Sequence, residues 1–212
     1  MRRDPGAGMD SDPEGMDGPC VTRCERCPAL VESRSRIVNG VGPEDAALVF
    51  VGEAPGARED ERGEPFVGRS GEVLDAALRE HGVARSAVRI TNCVRCRPPE
   101  NRDPHVDELA NCRGYLAAEL DAVDPELVVT LGKVPSEHLL GRDVRVTSEA
   151  GTVHDARVED VPVRVLVSVH PAATLYDRSQ RETFETAVAS AVSMAGLGEG
   201  DGADGQSRLG DY

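Results

Sequence analysis

The chain has 212 residues, enough for one ordinary domain with tails, and 38 acidic against 24 basic side chains give a formal charge of −14. No run approaches the roughly 20 apolar residues of a membrane-spanning helix, and the N-terminus MRRDPGAGMDSDPEGMDG lacks the apolar core of an export signal, so a cytoplasmic protein with no membrane partner is expected. Lys133 is the single lysine; an acidic, arginine-biased surface suits high internal salt (a halophilic setting), with GC-biased codon usage as the bland alternative.

In chain order, residues 1–19 are rich in Gly, Asp, Pro and Met without periodicity and are expected to be a disordered tail. Residues 20–196 are expected to form the domain, and 197–212 a second, acidic disordered tail. The run 47–51 (ALVFV) reads as a buried strand ending in the turn 52–56 (GEAPG). Val67, Gly71, Leu74, Leu78 and His81 fall at helical spacing, with Gly82 as the stop. A second strand is expected at 87–91. A helix follows from 104 to about 123, with Leu109, Cys112, Leu116 and Leu120 on one stripe. Strands are expected at 126–131 (ELVVTL) and 163–169, helices at 134–140 and 180–195. This alternation predicts an α/β fold: three layers, α/β/α, around a mostly parallel sheet of about four strands. Glu53, Asn92 and His170 each lie just past a predicted strand, at the sheet edge where ligands bind.

Six cysteines, Cys20, Cys24, Cys27, Cys93, Cys96 and Cys112, occur without an export signal, which favours metal ligation over disulfides. Cys24-x-x-Cys27 is a short chelate, and Cys96 and Cys112 lie 16 positions apart. Four thiolates from two regions suit a 4Fe–4S cluster or a structural zinc, and spacing does not choose between them. Cys93 competes as a ligand through Cys93-x-x-Cys96; it and Cys20 are read as packed or exposed thiols. Cys20-x3-Cys24-x2-Cys27 also has radical-SAM spacing, but it precedes every predicted strand and the remaining chain is too short for a full barrel.

Several motifs occur together and in order: GEAPGAREDERGEPFVGRSGEVLD (52–75), ITNCVRCRPPENRDP (90–104), the Cys112 helix, VVTLG (128–132) and VHPAATL (169–175). The chain between about Cys24 and Ala195 thereby resembles the family-four, iron–sulfur uracil-DNA glycosylases of archaea and thermophilic bacteria. That resemblance implies hydrolysis of the N-glycosidic bond of a flipped-out deoxyuridine, leaving an abasic site. It implies a structural 4Fe–4S cluster on Cys24, Cys27, Cys96 and Cys112. The turn at Glu53 and Ala54 would line the uracil pocket and position the attacking water. Phe66 would stack on the base, at about 1–3 kcal/mol. Asn92 would read uracil N3–H and O4, and Glu59 would crowd the C5 edge against thymine. His170 would hydrogen-bond O2 as the base leaves. Leu175 would fill the gap in the base stack, although HPAATLY departs from the commoner forms of that loop. Ala54 stands where better-known glycosylases of this fold carry aspartate, so Glu53 is the nearest candidate for orienting water.

Arg95, Arg97 and Arg102 flank the loop after Asn92 and are candidates for phosphate contacts. The partner expected is uracil-containing DNA, single- or double-stranded, bound by a monomer; a sliding clamp or other repair proteins are further candidates. Negative charge does not exclude this, because a local basic patch can act inside a negative envelope, though salt removes the counterion-release term. Two alternatives stay open: a uracil-DNA-binding protein that traps DNA covalently through a histidine, for which only His105 is available after the TN strand, and a non-catalytic zinc–thiolate module.

Overall fold

The computed structural model describes residues 15–198; the ends of both expected tails lie outside them. Strand β1 (Met16–Asp17) pairs antiparallel with β2 (Cys20–Val21), so paired structure begins ahead of the boundary expected at residue 20. Helix α1 (Pro28–Ser33) follows with Pro at its start, where a missing N–H costs nothing. Then come β3 (Leu48–Gly52), α2 (Ala57–Arg62), α3 (Arg69–Glu80), β4 (Arg89–Asn92), α4 (Val106–Val123) and β5 (Leu127–Leu131). The chain continues through α5 (Lys133–Leu140), α6 (Val146–Glu149), β6 (Val153–Val158), β7 (Val161–Ser168) and α7 (Arg178–Met194).

The main sheet has the order β4-β3-β5-β7-β6, parallel except for the β6–β7 pair. The expected α/β architecture is present, with one strand more than the sequence suggested. Strand β6 (VHDARV) is an edge strand, half-buried or exposed at every position before buried Val158, so it lacks the apolar run that marks the central strands. The short polar helix α2 (AREDER) escaped sequence reading for the same reason.

Side chains alternate across the sheet as the strand period requires. Leu48, Phe50, Leu127 and Val129 face one layer with Leu74, Leu78, Phe184 and Val188 from α3 and α7. Val49, Val51 and Val128 face the other with Leu116 and Leu120 of α4 and Leu139 of α5. A third, smaller cluster joins Val21, Leu30, Val94 and Tyr115 to four cysteines. Among the described residues no helix is long and apolar enough to cross a membrane.

Candidate active site

The parallel register sets Gly52 beside Asn92 at the ends of β3 and β4, and His170 follows the end of β7 two strands away. Glu53, Asn92 and His170 therefore share one sheet edge. They line a single recess of about 340 Å³ together with Ala54, Glu59 and Phe66, within the roughly 300–1,000 Å³ typical of small-ligand sites. Gly56 and Ser70 complete the lining, and Ser70 carried no distinguishing signal in the sequence.

Phe66 is buried with φ of 53°, a left-handed backbone unusual for an aromatic residue. Two glycines make room for it. A Cβ on Gly71 would fall 1.7 Å from the Phe66 carbonyl oxygen, and one on Gly52 would fall 2.5 Å from its ring and 2.4 Å from Asn92 Oδ1. Backbone strain held in place by packing is a mark of functional sites. The Phe66 ring lies 6.0 Å from the His170 ring, tilted by 35°. Gly52→Ala is expected to destabilise the fold by about 1–3 kcal/mol, the cost of overpacking a tight interior, read as a lower urea midpoint.

His170 Nδ1 accepts the Ala172 N–H at 3.1 Å, which leaves the ring proton on Nε2. Burial pushes the His170 pKa down to about 4, so at neutral pH the ring is an uncharged donor. Asn92 is 2% exposed. No side-chain hydrogen bond engages its amide among the described residues, so packing alone sets its orientation. Glu59 Oε2 accepts the Gly56 N–H at 3.0 Å, which fixes it as a wall of the recess. Burial, reinforced by the neighbouring Asp103 carboxylate and a hydrogen bond with it, raises the Glu53 pKa to about 7. Asp103, directly ahead of the helix expected from 104, carries no distinguishing signal in the sequence.

Leu175 does not line the recess. It sits 36% exposed in the turn Pro171–Leu175 and faces a neighbouring groove with Thr174, Phe184 and Arg181. Two of the three arginines expected at phosphates are committed elsewhere. Arg95 is 1% exposed and pairs with buried Glu119, which also binds Arg89 Nε at 2.6 Å and Thr91 Oγ1 at 2.9 Å. Arg102 forks onto Glu108 at 2.8 and 2.7 Å. Arg97 is held by Asn101 at 2.8 Å but stays near solvent.

Cys24, Cys27, Cys96 and Cys112 gather in the third core cluster, whereas Cys93 is buried in the core beneath the sheet. Each of the four thiols meets a donor: Tyr115 hydroxyl for Cys24, Asn111 Nδ2 for Cys27 at 3.4 Å, Arg34 Nη1 for Cys96 at 2.9 Å, and the Arg95 backbone N–H for Cys112. Burial raises the Cys27 and Cys96 thiol pKa values and brings Cys112 to about 11. Arg95 Nε is buried with no partner among the described residues. Two buried and two half-buried thiols that receive hydrogen bonds beside an arginine fit ligands whose negative charge a metal centre would neutralise. No group of three or more His, Cys, Asp or Glu meets the geometry of a metal-ion site among the described residues, so the fit rests on the chemistry of the donor set.

An amide, an imidazole and a carboxyl gather around one phenylalanine-backed recess at the edge of a mostly parallel sheet, the place where α/β enzymes hold their small ligands. The profile of the Uracil DNA glycosylase superfamily matches residues 39–192. The type-4 uracil-DNA glycosylase of Archaeoglobus fulgidus is 39% identical over 170 residues, 78% of this chain and 85% of that protein. Its counterpart in Thermotoga maritima is 39% identical over 160 residues, covering 75% and 81%. A type-5 uracil-DNA glycosylase of Pyrobaculum aerophilum is 33% identical over 196 residues, covering 78% and 85%. The chain belongs to the type-4 uracil-DNA glycosylases.

Proposed function

We propose that the protein is a monofunctional uracil-DNA glycosylase of base excision repair, acting as a monomer in the cytoplasm. The observation that supports it most is the convergence of Glu53, Asn92 and His170 on one recess backed by Phe66. A flipped uracil stacks on Phe66, and the Asn92 amide pairs with N3–H and O4. Cytosine presents the opposite donor and acceptor and leaves buried groups unpaired. The Glu59 wall crowds C5, where thymine carries a methyl group. As the glycosidic bond stretches, negative charge grows on uracil O2, and the neutral His170 Nε2–H donates to it. The Glu53–Ala54 turn positions the water that attacks C1′. Leu175, in the turn that follows His170, enters the stack when DNA binds.

Cys24, Cys27, Cys96 and Cys112 would hold a 4Fe–4S cluster, which would supply a structural crosslink between the N-terminal segment and the loop after Asn92. A brown protein supports this cofactor, and a colourless one containing zinc overturns it. The acidic, lysine-poor surface supports a high salt optimum, tested by assaying activity across a series up to molar KCl.

Excision assays on wild type, Asn92→Ala and His170→Ala test the function. Intact uracil-DNA after incubation with cluster-loaded wild type across the salt series sinks the proposal. A heat- and SDS-stable DNA adduct would favour covalent trapping instead, although His105 lies exposed at the start of α4, outside the recess.

Water positioning by ionised Glu53 requires activity to rise with pH through about 7. His170 stays neutral down to about pH 4 and adds no limb near 7. Asp103→Asn removes the facing negative charge, so the midpoint of log kcat/KM against pH is expected to fall by the order of one unit; an unmoved midpoint assigns the limb elsewhere. The raised Glu53 pKa means the folded state holds a proton that the unfolded state releases between about pH 4.5 and 7. Stability is therefore lost as pH rises through that window, and Asp103→Asn is expected to reduce the loss.

A further inference from the structure

The proposed function leaves one buried carboxylate unused. Asp60 lies on α2, next to Glu59, and is 2% exposed. Among the described residues it has no cationic partner. Its two oxygens each lie 2.9 Å from the Ser35 N–H, and Oδ1 also accepts the Arg36 N–H at 3.3 Å. A buried carboxylate is costly unless hydrogen bonds satisfy it, so α2 can sit only where the backbone of 35–36 presents those donors. The preceding residue, Arg34, forks onto the cysteine centre: Nη1 to Cys96 Sγ at 2.9 Å and Nη2 to the Cys24 carbonyl at 2.7 Å. Three consecutive residues thus join both cysteine-bearing segments to the helix whose Glu59 walls the recess.

We propose that Asp60 and Arg34 are positioning residues through which the cysteine centre holds the Glu59 wall in place, and so sets discrimination at the C5 edge of the base. This rests on the proposed function for its substrate, but the mechanical link stands on the contacts alone. A loosened α2 leaves Asn92 and His170 in place, because they belong to β4 and to the segment after β7, and Phe66 stays packed against Gly52 of β3 and Gly71 of α3. Uracil release should then survive, while bases enlarged at C5 gain access. Arg34 acts earlier in the same chain of contacts. Its loss should free the Cys96 thiolate from a charged donor and let α2 move as well.

The test compares full-length, metal-loaded wild type with Asp60→Asn and Arg34→Met. Three quantities are measured: visible absorption during challenge with a chelator, amide hydrogen exchange at 57–62, and the ratio of uracil to thymine release from mispaired DNA. Asp60→Asn is expected to keep the wild-type absorption and to release uracil within about threefold of wild type. Its exchange at 57–62 should be about tenfold faster, with the uracil-to-thymine ratio lowered by about five- to tenfold. Arg34→Met is expected to lose its absorption faster and to show the same exchange increase. If Arg34→Met does not fold, Arg34→Lys, which keeps charge but not the fork, should show both effects in weaker form. Faster metal loss with unchanged exchange at 57–62 overturns the link. Unchanged exchange or an unchanged base ratio in Asp60→Asn overturns the role of Asp60. Failure of wild type to release uracil would sink the function instead, while the exchange result would still judge the link.

Discussion

His170→Ala is expected to lower kcat for uracil release by about 100- to 1,000-fold, the usual effect of removing one donor to a developing oxyanion, with KM nearly unchanged. The ground-state carbonyl at O2 gains little from one neutral donor, whereas the departing uracil carries negative charge there, so the interaction strengthens as the bond breaks. The fold prepares the ring for this task. Ala172 N–H occupies Nδ1, which places the proton on Nε2, and burial holds the pKa at about 4, so the donor is uncharged at every pH where the enzyme would work. Single-turnover rates on a uracil-containing oligonucleotide measure the effect. A drop of less than about tenfold would show that another group supplies the donor.

Glu119→Ala is expected to cost about 3–5 kcal/mol of folding stability, the range seen when one member of a buried ion pair is removed. Here one carboxylate serves two buried arginines, Arg89 and Arg95, and Thr91. Removing it leaves both guanidinium groups without their counter-ion, and a fold of this size would lose about 6–20 °C in Tm. Burial pushes the Glu119 carboxyl up, but Arg95 and Arg89 outweigh it and hold it below the usual range. Its contribution is therefore present above the ordinary carboxylate value and lost as pH falls through the lower folded value. Thermal melts of wild type and variant between pH 7 and acid should converge as pH drops; a constant difference would mean the pair is not the source. Arg95 adjoins Cys96 and its backbone N–H reaches Cys112, so the variant should also loosen the packing around those two thiols.

The sequence made most elements legible for a simple reason. Strands β3 and β5 and the second half of β7 are buried on both faces and read as mostly apolar runs, while α3 and α4 carry apolar residues at helical spacing. Edge strand β6 and the polar helix α2 carry no such pattern and emerged only in the folded chain. Arginine misled most. Arg95 and Arg102 look like solvent-facing, phosphate-seeking residues beside a loop, yet their partners Glu119 and Glu108 lie on α4, where nothing local announces them.

By itself the sequence determined the order of most strands and helices and the placing of Glu53, Asn92 and His170 at strand ends. Periodicity and turn residues are local properties, and local chemistry is written along the chain. Tertiary structure alone decided which tautomer His170 adopts, that Asp103 raises Glu53, and that Asp60 is buried on the Ser35 and Arg36 backbone. Each depends on burial and on a partner distant in sequence, and both arise only when the layers close.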